Sequence, residues 1–223
     1  MANRDAARQI GACADRLVRT GLLWKNNHGN ISVRGDDAGE MILTGSVLEP
    51  FDPDSLTRLT IAGEVLEGTI AAMAREIVNL HGVVYRNRPD IGAVVHAHSP
   101  HATAYAVAGR ELPVYTMALA RLIDEPVRVS AFGPRGSEVE VDSIGQLLND
   151  HPGMNAVLLR NHGVLAWGAT LDEATRIIFA LEENAEASIQ ASGLGGAVAI
   201  PSDLVKATKA RRIEFERLGA LTR

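Results

Sequence analysis

The chain of 223 residues is 46% hydrophobic, 22% charged and 4% aromatic, enough to enclose one large core and too apolar for a disordered polymer. Its 22 Lys and Arg against 27 Asp and Glu give a formal charge of -5, so no overall attraction to nucleic acid or an anionic membrane is expected. A single cysteine, Cys13, excludes an internal disulfide and a zinc finger, and no apolar run approaches the roughly 20 residues of a bilayer span. Arg4, Asp5, Arg8, Asp15, Arg16 and Arg19 also charge the first twenty residues. The expectation is a cytoplasmic protein in a reducing compartment.

Ile10, Ala14, Leu17 and Val18 recur at helical spacing, predicting an amphipathic helix from Asp5 to Thr20 that ends near Gly21. Ile31 to Arg34 and Met41 to Thr44 read as a hairpin around the Gly35–Gly39 turn stretch. A second helix is expected over Thr69 to Arg86, with Met73, Ile77, Leu80 and Val84 along one side, followed by a strand from Ala93 to His98. Pro100 suits the first turn of a short helix running to Ala108. Pro113, Pro126, Gly133, Pro134 and Gly136 interrupt the stretch from Leu112 to Val141, which reads as strands and loops.

A short helix is expected over Ser143 to Asn149, then strands over Ala156 to Arg160 and Val164 to Trp167, separated by the Asn161-His162-Gly163 turn. Leu171 to Ala191 carries Ala174, Ile177, Ile178, Leu181 and Ala185 at helical spacing. The glycine cluster after Ser192 reads as a connector, since neither a P-loop Lys nor a dinucleotide fingerprint accompanies it. A terminal helix over Lys206 to Arg217 completes the pattern. With no repeat or break in composition, a single α/β domain over 1–223 is expected, its core at about 5–190 and a helical extension at 201–223.

Three of the seven histidines, His96, His98 and His101, fall within six residues. In a strand, His96 and His98 share one face while Val95 and Ala97 point to the other, so two imidazoles are able to share one metal. A third ligand must come from elsewhere, and His162, in a turn beyond a short apolar strand, is the best candidate. Taken alone, a His-x-His pair fits ordinary structural histidines equally well. His101 fits either a pocket lining or a helix start.

Gly29-Asn30-Ile31-Ser32-Val33-Arg34, Thr44-Gly45, Arg88-Pro89-Asp90 with Ala93-Val94-Val95-His96-Ala97-His98, and Asn161-His162-Gly163-Val164-Leu165 resemble, in order and spacing, the class II aldolase/adducin family. The resemblance covers about residues 5 to 190 and implies a central, largely antiparallel sheet flanked by helices. It implies His96, His98 and His162 as metal ligands and Glu76 as the acid that ligates or moves a proton. The ion implied is Zn, with Mn, Co, Fe or Ni suited to the same donors. It also implies a phosphorylated small-molecule substrate held by Gly29, Asn30, Thr44 and Gly45, and a cyclic homotetramer whose sites lie between subunits.

The activity implied is that of a metal-dependent aldolase, a carbon–carbon lyase acting on a phosphorylated sugar or related hydroxy-ketone through a metal-stabilised enediolate. A 3-oxo sugar acid phosphate decarboxylase or sugar-phosphate 4-epimerase would use the same site, and an adducin-like oligomerisation module is the non-enzymatic alternative. The complete histidine set argues against that module. The sequence departs from the family pattern at three places. Ala74-Arg75 stands where two serines are common, leaving Arg75 to clamp a phosphate or carboxylate. Glu76 lies five residues before His81 where four are expected, so the acid's alignment is open to a one-residue shift. Tyr115, displaced by one position, matches the tyrosine that serves an adjacent subunit in proton transfer, or packs as an amphipathic ring.

Overall fold

The computed structural model describes residues 2–45, 47–71 and 74–219. Helix α1 spans Ala2–Arg19 and buries Ile10, Ala14 and Leu17 completely, as its spacing dictates. Strands β1 (Asn30–Arg34) and β2 (Glu40–Leu43) form the expected hairpin, with Ser32 opposite Leu43 and Arg34 opposite Met41. A second hairpin follows, β3 (Thr57–Thr60) and β4 (Val65–Glu67), which the sequence reading lacked. Its edge strand is exposed throughout, so no buried alternation marks it.

Helix α2 is Arg75–Asn87, shorter at its start than the expected Thr69 to Arg86. The Thr57 hydroxyl donates to the Thr69 carbonyl at 2.6 Å and ties that residue to β3; Met73 lies outside the described residues. Strand β5 (Ala93–Ala97) leads directly into α3 (Pro100–Ala108), and the Pro-rich region contains only the four-residue α4 (Met117–Ala120) and the two-residue β6 (Arg128–Val129). Helix α5, Glu138–Asp150, starts five residues before the expected Ser143. Glu138 and Glu140 occupy its first turn, where the helix dipole favours anions although no apolar stripe announces a helix.

Strands β7 (Ala156–Leu159) and β8 (Gly163–Gly168) are followed by α6 (Leu171–Ala191), which Thr170 starts by accepting the Glu173 amide at 3.2 Å. Helix α7, Ser202–Arg217, begins immediately after Pro201. One sheet runs in the order β4-β3-β2-β1-β5-β8-β7-β6, with β6–β7 its parallel pair. Alternation along β5 and β8 divides the core: Val95, Ala97, Val164 and Ala166 face α1, α3 and α6, while Val94, Leu165 and Trp167 face α2 and α5. The result is a single α/β domain with a largely antiparallel sheet between helical layers. No described helix is long and apolar enough to cross a membrane.

Candidate metal centre

Sheet register assembles the histidines. Strand β5 pairs antiparallel with β8, placing His96 opposite Leu165 and Ala97 opposite Val164. One step further sets His98 beside Gly163, with His162 in the turn that joins Leu159 to Gly163. That turn is formed by Asn161 at φ 60°, a left-handed conformation that asparagine tolerates better than most residues. The ring centroids are 4.7 Å apart for His96–His98 and for His96–His162, and 5.1 Å for His98–His162. One nitrogen from each ring lies within 4.8 Å of the others.

The rings' outer hydrogen bonds determine which nitrogens face inward. His96 Nδ1 donates to the Val164 carbonyl at 3.0 Å and His98 Nδ1 to the His28 carbonyl at 2.8 Å, leaving each Nε2 as an acceptor lone pair. Burial lowers the pKa of His96 well below its ordinary value, helped by His162 and His98. His162 is lowered to about 4 by burial, then by His98 and Arg135, and burial also lowers His98. Three neutral imidazoles are therefore available at neutral pH, a donor set that fits a divalent cation.

Glu76 lies in the first turn of α2, half-exposed, and its Oε2 accepts from Arg135 Nε at 3.1 Å. The position four before His81 is Ile77, fully buried in the α2–α5 core. Glu76 is thus on the partly solvated side of the helix. A second acid went unnoticed in the sequence. Glu140 is 2% exposed, accepts the Gly136 amide at 2.8 Å, and its Oε1 lies 4.0 Å from His162 Nδ1. Burial raises its pKa, opposed by the Gly136 amide and by Arg135. Arg135 went unnoticed too, although an isolated base within Gly133-Pro134-Arg135-Gly136 is a turn signal that a search for anion ligands would flag.

The four turn residues converge on the same end of the sheet. Asn30 is the cross-strand partner of His96, and Thr44 follows Leu43 to lie against Ile31. A Cβ on Gly29 would come within 2.7 Å of the His96 carbonyl and 2.6 Å of Leu23, so only glycine allows this close approach. The Thr44 hydroxyl accepts the Ile31 amide at 3.0 Å and donates to the Gly45 carbonyl at 2.9 Å, while the space beside Gly45 is open. Arg75 is exposed and forms no ion pair among the described residues.

Tyr115 is partly buried against the core on the α6 side of the sheet. Its amide donates to Asn184 at 2.7 Å, and its phenol has a raised pKa from burial and from neighbouring Tyr105. His101 sits at the start of α3, where Glu182 accepts from its Nδ1 at 2.8 Å and from its amide at 3.0 Å.

The model of the class II aldolase and adducin N-terminal domain matches residues 8–189. The chain belongs to this family. It is 30% identical over 197 residues to a 5-deoxy-D-ribulose 1-phosphate aldolase of Bacillus thuringiensis serovar kurstaki, covering 87% of this chain and 89% of the relative. It is 32% identical over 176 residues to a 5-methylthioribulose-1-phosphate/5-deoxyribulose-1-phosphate aldolase of Rhodospirillum rubrum, covering 78% and 76%. Among solved structures, an L-fuculose 1-phosphate aldolase superposes with a TM-score of 0.83 at 27% identity, over 93% of this chain and 95% of that one. These matches support an enzyme of the class II aldolase kind, related to sugar-phosphate aldolases, and a family that uses a divalent metal.

Proposed function

We propose that the chain is a divalent-metal-dependent aldolase that cleaves a ketose 1-phosphate by a retro-aldol reaction, releasing a dihydroxyacetone-phosphate-like fragment and an aldehyde. The observation that carries this reading is the convergence of His96, His98 and His162, with ligand nitrogens within 4.8 Å of one another. These three residues would hold the cation, with zinc the native choice and manganese, cobalt, iron or nickel suited to the same nitrogens. When bound, the cation would supply positive charge against the negative charge that develops on the oxygens of the departing fragment.

The residues of the chain do the remaining work. Gly29, Asn30, Thr44 and Gly45 form the phosphate-binding end, with Arg75 supplying longer-range positive charge. Glu76 moves the proton to or from the carbon of the departing fragment, and Arg135 holds its carboxylate at 3.1 Å. Glu140 places negative charge behind His162, 4.0 Å from its Nδ1. Tyr115 serves the site of an adjacent subunit in a cyclic homotetramer, a role supported by the exposed Phe132 and Met117 surfaces available for subunit contact. A phosphorylated substrate keeps the reaction in the cytoplasm.

The decisive experiment combines elemental analysis of the purified protein with a screen of ketose 1-phosphates for aldehyde release. Bound stoichiometric metal, lost in H96A, and turnover abolished in E76Q with metal retained are the expected results. Metal content that H96A leaves unchanged would sink the metal assignment, and full turnover in E76Q would remove Glu76 from proton transfer.

A further inference from the structure

Behind Asn30 runs a buried file of three polar side chains, His81, Ser32 and Tyr85, for which the proposed reaction has no direct use. His81, on α2, is fully buried, as is Ser32 on β1, and Tyr85 and Asn30 are 2% and 3% exposed. His81 Nε2 lies 2.6 Å from Asn30 Oδ1, His81 Nδ1 lies 2.7 Å from Ser32 Oγ, and Ser32 Oγ lies 2.9 Å from the Tyr85 hydroxyl. The side-chain nitrogen of Asn30 has no hydrogen-bond partner among the described residues.

The far end of the file sets its direction. Among the described residues the Tyr85 hydroxyl has one hydrogen-bond partner, Ser32 Oγ at 2.9 Å, while the Arg34 guanidinium lies over the face of its ring at 4.7 Å with its nitrogens donating to backbone carbonyls. Ser32 is therefore the one described acceptor for the Tyr85 proton. With Tyr85 donating to Ser32, the serine proton goes to His81 Nδ1, and the single proton of the neutral ring sits on Nε2 and donates to Asn30 Oδ1. Burial, which lowers the His81 pKa to about 3, keeps the ring neutral. In the reverse direction the Tyr85 hydroxyl would be a buried donor without an acceptor, the costly case.

We propose that His81 is a positioning residue for anion recognition: the one-way relay Tyr85–Ser32–His81 pins the Asn30 carbonyl inward and so presents the Asn30 NH2 to the substrate phosphate. The proposal rests on Asn30 being a phosphate ligand. A carboxamide turned the other way would aim an oxygen lone pair at the anion, so the relay converts a group with two faces into a donor. Residues that never touch the substrate thereby set its affinity.

Two measurements test the relay. In the wild-type protein, side-chain 15N resonances assigned through bonds to His81 should show a protonated Nε2 and an unprotonated Nδ1; a protonated Nδ1 overturns the proposal, and no variant is needed. Inorganic phosphate titrated into the purified proteins should bind H81L about tenfold more weakly than wild type, the loss of one hydrogen bond to a charged acceptor. H81Q, whose amide nitrogen is able to donate to Asn30, should recover most of that affinity. With a ketose 1-phosphate, H81L should raise KM more than it lowers kcat. Phosphate affinity unchanged in H81L but weakened in N30A would sink the relay alone, whereas unchanged affinity in N30A would sink the phosphate-site reading and the relay with it. Should H81L fail to fold, the tautomer measured in the wild type decides.

Discussion

Gly163 is the position where a single methyl group tests the metal centre most directly. A Cβ there would stand 2.7 Å from the Ala97 carbonyl oxygen, 2.8 Å from His98 Cδ2 and 3.2 Å from His96 Cε1. Carbon atoms rest at about 3.5–4.0 Å, so the His98 ring must retreat by about 0.7 Å and the His96 ring by about 0.3 Å. The Ala97 carbonyl has no such freedom, since β5 is paired there with β8 opposite Val164. Metal sites tolerate ligand displacements of about 0.2 Å, so Gly163→Ala should weaken zinc binding at least tenfold, while overpacking costs about 1–3 kcal/mol of stability. Competition against a chromophoric chelator measures the first quantity, and thermal unfolding of the metal-free proteins the second. Wild-type zinc affinity and stoichiometry in the variant would refute the reasoning, because they would mean that these two rings do not hold the ion.

Three further outcomes are expected. Glu140→Gln should fold, keep a side-chain oxygen for the Gly136 amide, and bind zinc about tenfold to hundredfold more weakly through loss of the carboxylate behind His162; equal affinity would reduce Glu140 to a helix-start residue. Arg88→Ala removes donors to the Pro152 and Met154 carbonyls at 2.8 and 2.9 Å, for an expected loss of about 2 kcal/mol and a Tm lower by roughly 4–8 °C; a Tm within a degree of wild type would contradict it. His81 binds a proton readily only in the unfolded chain, near pH 6.5, and at about 3 when folded, so its contribution is present above pH 6.5 and is lost as the pH falls. By pH 5 it should remove about 2 kcal/mol, read as a steeper fall in denaturant midpoint for wild type than for H81Q, both in chelator; parallel curves would show that the ring does not stay neutral.

The elements that were legible in the sequence are those whose burial follows one period. Helix α6 runs from Leu171 to Ala191 as its apolar spacing predicts, and β5 displays His96 against Val95 and Ala97 because two-residue alternation governs which face a strand side chain meets. The β3–β4 hairpin was not legible: its outer strand meets solvent throughout, so no burial pattern is written there. The start of α5 escaped because acidic residues suit a helix N-terminus without an apolar stripe. Glu140 escaped for the same reason, since nothing in its neighbours distinguishes a buried carboxylate beneath a histidine from a charge facing water.

The acid at the start of α2 shows where spacing and structure must be read together. Glu76 stands five residues before His81, and each residue turns an α-helix by about 100°, so an acid at that position cannot occupy the direction taken by one four residues before. That direction belongs to Ile77, which seals the α2–α5 core at zero exposure. Glu76 instead points where Arg135 reaches it from the loop before α5, and Arg135 also depresses the pKa of His162 and His98. The loop thus supplies one cation that pairs with Glu76 and also acts on the imidazoles, so Glu76 and Arg135 are linked through a single guanidinium. Arg135→Gln should then alter kcat while leaving the metal-free fold intact, measured by turnover of a ketose 1-phosphate beside thermal unfolding. Unchanged turnover would show that the acid finds its place without that guanidinium.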